Sequence, residues 1–197
     1  MSNMTPAQTR KIDDIFVAGL LKSGLPGNVV QRVLETQGKE IVAQFVGIVR
    51  ERVEAIEKRI VRLVEGIDRG QTAKEAIEST GRNFYGDISH AIRLPIGTGD
   101  TENVTFIPLE KRMSPGAVDS LVEDGGYKYA SLHAVAKHNK DHPDFAEKVQ
   151  HFIQSRDKEG RHSYAAFLRW NDDRSVDVDR YEVDWRDDWF VAVVPAS

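Results

Sequence analysis

The sequence predicts an α+β protein: an N-terminal helical, coiled-coil-like segment followed by a compact domain that ends in an antiparallel β-meander. Three observations carry this. Apolar residues recur at helical spacing through the first third of the chain, and the last third switches to short β-branched and aromatic runs separated by polar turns. The charge also changes sign: residues 1–71 hold 11 Lys or Arg and 9 Asp or Glu, whereas the remainder holds 16 and 22. We therefore divide the chain into a helical segment over 1–71 and an α+β domain over 72–197.

The elements follow in order. Thr5 and Gln8 have capping-box spacing, Pro6 suits the first helical position, and Gly24, Pro26 and Gly27 stop this helix after Lys22. Asn28 opens a second apolar-periodic stretch that persists to Ile67, as one helix or as two divided at Gly38. Within it Val42, Val46, Val49, Val53, Ile56, Ile60, Leu63 and Ile67 fall on a 4,3,4,3 spacing, a heptad seam. Asp68, Arg69 and Gly70 close the region, and Thr72 with Glu75 forms a capping box for a short helix ending near Gly81. Val104 to Ile107 reads as the first strand of the second domain, Ser114 and Pro115 start a helix ended by Gly125 and Gly126, and a further helix is expected from Tyr129 to about His138. Four runs, 152–154, 162–170, 175–183 and 189–194, then form the meander, separated by DKEG, NDDR and DWRD.

The seam implies assembly. Seven of its eight residues are β-branched, and β-branched residues in both core layers favour three or four strands over two, so a trimer is expected ahead of a dimer. Phe45, Ile48, Val61 and Val64 widen the stripe, however, and a wide stripe also suits packing within one chain.

Composition excludes several functions. The net charge of −4 gives no footprint for nucleic acid, and the basic residues Arg50, Arg52, Lys58, Arg59 and Arg62 are interleaved with Glu51, Glu54 and Glu57. No run approaches the roughly 20 apolar residues that span a bilayer, so no membrane partner is expected and the reading is cytoplasmic. The absence of Cys removes thiolate chemistry and disulfides. No cofactor is called for.

His138, His142 and Asp144 form the candidate metal set, with Asp141 as a base, because two His four apart on a helix can share an ion. No Glu stands where an HExxH hydrolase needs one. A metal-dependent hydrolase is thus the alternative to the leading expectation, a non-enzymatic binding or structural protein. Its partner surface would be the C-terminal sheet, with Arg169, Trp170, Arg180, Tyr181, Trp185 and Trp189 as contacts for a protein or, second, a carbohydrate, since aromatics with Arg anchor interfaces. Residues 172–188 hold eight acidic side chains against three Arg, a composition suited to Ca²⁺ or to a basic partner, but the spacing fits no EF-hand loop and alternation places Asp177 and Asp179 on a solvated sheet face opposite Val176 and Val178, which is the favoured reading.

TAKEAIESTGRNFYGD (72–87), YASLHAVAKHNKDHPDFAEK (129–148) and SYAAFLRWNDDRSVDVDRYEVDWRDDWFVAV (163–193) resemble a family of small uncharacterised bacterial proteins. That family has an AxExTGRxxY segment, a DPxFA-like turn and a closing WxxxWWFA-like motif. The chain departs from it at Asp188 to Ala192, which lack the paired tryptophans, and at His162 and Ser163, where a Trp-Cys pair is common. The resemblance covers about residues 72–195 and brings no activity or catalytic residue. More distantly, the aromatic and charged end resembles the ligand-displaying ends of C-type-lectin-like variable proteins.

Overall fold

The computed structural model describes residues 5–180 and 184–196; for Gln8, Arg50, Glu51 and residues 53–57 it describes the backbone alone. The chain divides into two compact units, residues 1–53 and 54–197.

The first unit is a helical hairpin. Helix α1 spans Pro6–Lys22 and α2 spans Gly27–Glu57. Gly24, at φ 68°, takes the left-handed conformation that ends α1, and the Ser23 hydroxyl donates to the Leu20 carbonyl at 2.6 Å. Phe16 and Phe45 meet edge to face at 6.3 Å. Helix α2 runs through Gly38 without a break, because one glycine costs only about 1 kcal/mol inside a helix. None of the described side chains between 5 and 52 is buried, and Val42, Val46 and Val49 are 60%, 47% and 41% exposed.

The helix does not reach Ile67. It closes at Glu57, Lys58 turns the chain at φ 54°, and Ile60–Val64 forms strand β1. Ile60, Leu63 and Ile67 therefore leave the seam: Ile60 packs against the core of the second unit, Leu63 is exposed on β1, and Ile67 is buried in that core. β-branched residues fit a pleated strand as well as a seam, and pairing with a neighbouring strand decides for the sheet. Val53 and Ile56 remain helical in backbone, with side chains outside the described residues. The unit boundary accordingly falls at 53/54 and not at 71/72.

The second unit is built on a mixed eight-stranded sheet. After β1 come α3 (Ala73–Glu78), β2 (Asn83–Gly86), a 3-10 turn (Ile88–Arg93), β3 (Glu102–Pro108), α4 (Pro115–Asp124), β4 (Tyr127–Tyr129) and α5 (Leu132–Asp141). α6 (Phe145–Lys148), β5 (His151–Arg156), β6 (His162–Trp170), β7 (Asp173–Asp179) and β8 (Phe190–Pro195) complete it. The order is β1-β3-β8-β5-β6-β7-β2, with β4 also pairing β8. The caps anticipated at Thr72 and Ser114 are formed: Thr72 and Glu75 make the reciprocal capping box, and Ser114 accepts from the Ala117 amide. The helix expected from Tyr129 starts at Leu132, capped by Ser131, because Tyr127–Tyr129 pairs with β8 as a strand.

Only three of the four expected meander strands are consecutive neighbours. β5, β6 and β7 pair antiparallel, but β8 crosses over to lie antiparallel to β3 and parallel to β5. β2 pairs parallel with β7 at the opposite edge. Both sheet faces are covered. Val104, Phe106, Ile153, Ala165, Phe167, Val176 and Val178 share one core cluster with residues of α3, α5 and the 3-10 turn. Phe152, Tyr164, Ala166, Leu168, Val191 and Val193 face the other way, with Val118 and Val122 of α4 and with Trp185 and Trp189. Alternation along β6 serves two cores at once, which explains its unbroken burial from His162 to Leu168.

Candidate functional site

The α4 face of the sheet is incompletely covered toward the β7–β2 edge, where a groove of about 740 Å³ opens. Its floor is set by strand register. Tyr85 on β2 and Ala166 on β6 both stand opposite Asp177 on β7, and Leu168 stands opposite Ser175. Ala166 and Ser175 are small, so the middle of the floor is low while Tyr85 and Trp170 stand beside it, 46% and 58% exposed.

Trp185 and Trp189 line the groove from the segment before β8, together with Tyr164, Arg112, Asp184 and Arg186. This side is firmly held. Met113 and Trp185 exchange two backbone hydrogen bonds of 2.9 and 2.8 Å, and Leu109 donates to the Trp189 carbonyl at 2.8 Å. The Trp185 ring stacks on Phe152 with centroids 3.6 Å apart and meets Tyr164 edge to face at 5.2 Å. Its indole N–H donates to Gln154 Oε1 at 3.1 Å.

Gln154 belongs to a buried polar network beneath this side. Its amide nitrogen lies 2.9 Å from the Pro115 carbonyl, 2.8 Å from Asp119 Oδ1 and 2.7 Å from the Tyr129 hydroxyl. Tyr129 donates to Asp119 Oδ1 at 2.5 Å, and His162 Nε2 contacts Asp119 Oδ2 at 2.8 Å. Burial opposes the charge on Asp119, but the hydrogen bonds from Tyr129, His162 and Gln154 outweigh it and hold its carboxyl below the usual range. Burial, followed by the neighbouring Asp119, pushes the Tyr129 phenol up. The network joins α4, β4, β5 and β6 to the tryptophan that lines the groove.

Charge in the groove is unevenly matched. Arg112 pairs with Asp184 at 3.2 Å, Arg186 with Asp188 at 2.8 Å, and Arg169 with Asp172 at 2.9 Å. Asp177 accepts from the Tyr164 hydroxyl at 3.1 Å and has no cation against it among the described residues. Half-burial raises its pKa, Tyr164 opposes the shift, and Asp179 adds to it.

Comparison with protein-family models, curated proteins and solved structures finds no match. The site therefore stands on its own geometry.

The expected contact residues divide. Arg169 and Trp170 line the groove, and Trp170 is open to a partner. Trp185 and Trp189 line it too, but as buried structural rings, 7% and 9% exposed, and not as projecting anchors. The reason is the stack on Phe152 and the bond to Gln154. Arg180 is drawn away from the groove into a cluster at the β5–β6 turn, where it pairs with Asp157, which Arg93 and Arg161 also approach at 3.5 and 3.4 Å. Tyr181 lies outside the described residues. Alternation correctly separates Asp177 from Val176 and Val178, yet the face it occupies is half-covered and not simply solvated. Asp177 lies in the acidic run and Tyr164 on the strand face shared with Trp170, whereas Tyr85 and Arg112 carry no local signal marking them as site residues.

The His138, His142 and Asp144 set does not converge on one point. His138 is buried against Phe106 and Phe145, with ring centroids 5.4 and 4.5 Å away, and burial followed by His142 pushes its pKa down to about 4. His142 is exposed, its ring 4.8 Å from that of His138. Asp144 is paired with Arg174, and Asp141 with Lys137. Among the described residues no three His, Asp or Glu stand together as a metal site, and no described helix is long and apolar enough to cross a membrane.

Proposed function

We propose that this chain is a non-enzymatic binding protein that self-assembles through its helical hairpin and contacts a protein partner through the groove of its C-terminal sheet. The observation that carries the reading is the hairpin itself, whose described residues present Val42, Val46, Val49, Ile48 and Phe45 to solvent without burying one side chain. Two helices of this kind do not supply the apolar burial that offsets chain ordering, so a further surface must cover them. A second and third copy are the proposed cover. The helical part of the heptad pattern, Val42 to Ile56, is entirely β-branched in both layers, which favours three strands.

The groove supports the second half of the reading, since it combines exposed rings, paired arginines and a rigid wall in one concavity. Light scattering over a dilution series tests assembly. A mass near three times 22.2 kDa is expected, falling toward 22.2 kDa in the Val46→Asp, Val49→Asp double variant. A native chain that stays at 22.2 kDa at every concentration would refute assembly.

A further inference from the structure

We infer that the groove receives a basic side chain, lysine or arginine, of a protein partner, seated at the Asp177 carboxylate beside Tyr85 and Tyr164. This rests on the reading of the sheet face as the contact surface and adds the chemistry of what it contacts.

Four observations lead there. Asp177 is a half-buried carboxylate that accepts from the neutral Tyr164 hydroxyl and faces no cation among the described residues, and a carboxylate removed from water without a counter-ion carries an unrecovered desolvation cost. An incoming cation recovers that cost. The groove's own cations do not meet the need, because Arg112, Arg169 and Arg186 each pair with another carboxylate. The rings add a second attraction, since ammonium and guanidinium groups are drawn to aromatic faces: Tyr85 is accessible opposite Asp177, and Trp170, opposite Asp173 further along β7, is open to a neighbouring residue of the same partner. Finally, residues 172–188, which supply Ser175, Asp177, Asp184, Trp185 and Arg186 to the lining, hold eight acidic side chains against three Arg, an excess of negative charge around the groove that favours the approach of a basic segment.

Shape agrees with charge. The low floor at Ala166 and Ser175 leaves room for a long unbranched side chain, and a volume of about 740 Å³ takes neighbouring partner residues as well. A neutral sugar would use the rings but leave the charge of Asp177 without a counter-ion.

The tryptophans make the test direct. All three in the chain, Trp170, Trp185 and Trp189, line the groove, so tryptophan emission excited at wavelengths that tyrosine does not absorb reports on it. The full chain is titrated with an acetylated, amidated hexalysine peptide, with a hexaglutamate peptide and with maltotriose. A saturable emission change with hexalysine alone is expected, weakened at least about tenfold by Asp177→Asn and by 0.5 M salt. Trp170→Ala, at an exposed ring, provides a second variant should Asp177→Asn unfold, and is expected to weaken the peptide severalfold. No saturable response to hexalysine, or equal affinity in a folded Asp177→Asn variant, overturns the inference. Binding of maltotriose in its place also overturns it while leaving the groove as the contact surface. A fall in assembly mass on adding hexalysine would assign the groove to another copy of this chain and equally overturn it. Assembly is read separately by mass, so the two readings fail independently.

Discussion

Acid should destabilise the second unit through His151 before its carboxylates protonate. The imidazole is fully buried among Phe106, Phe145 and Phe167, with Nδ1 2.7 Å from the Val149 carbonyl and Nε2 2.9 Å from Asn139 Nδ2. A carbonyl only accepts, so Nδ1 carries the proton, and Nε2 accepts from Asn139. Protonating Nε2 would break that bond and bury a charge. Burial accordingly pushes the pKa of His151 down to about 3 from its ordinary 6.5. Because the folded value lies below the unfolded one, the unfolded chain binds the extra proton first, and stability is lost as pH falls from 6.5 toward 3. Between pH 7 and pH 4.5 this removes on the order of 2–3 kcal/mol, at about 1.4 kcal/mol per unit of pKa difference. His138, held at about 4 by burial and His142, removes a similar amount over the same interval. Urea unfolding followed by tryptophan fluorescence at the two pH values, for the native chain and His151→Gln, isolates the first contribution. The variant should lose on the order of 2–3 kcal/mol less than the native chain. Equal losses in both would refute a neutral, buried His151.

Two further outcomes concern single backbone positions. Gly86 ends β2 at φ 86°, and a Cβ there would fall 2.0 Å from the Val178 carbonyl oxygen, so Gly86→Ala should cost about 3 kcal/mol and loosen the strand that carries Tyr85, read as a lower urea midpoint. Lys58 closes α2 at φ 54°, where a glycine avoids the left-handed penalty, so Lys58→Gly should raise stability by about 1 kcal/mol, read as a higher midpoint.

Some of this molecule was legible locally. Pro6, Thr72 with Glu75, Ser114 with Pro115, and the glycine after α1 mark helix boundaries, because caps and breakers act within one turn and need no distant partner. The alternation of β6 and β7 was equally readable, since side-chain period is a property of the strand alone. What neighbours a strand is not such a property. Val42 to Ile67 keeps one spacing throughout, yet its first part is helical and Ile60 to Val64 pairs with β3, because β-branched residues suit either state and a strand remote in sequence decides. The same non-local choice places β8 between β3 and β5 and not at the end of a meander. It also builds the groove, whose floor sets Tyr85 beside Asp177 by parallel pairing of β2 with β7. Composition and local periodicity thus determined the α+β class, the helical N-terminus and most element ends. Only the tertiary structure decided which aromatic rings became the core and which remained open to a partner, because burial depends on what other elements cover each face.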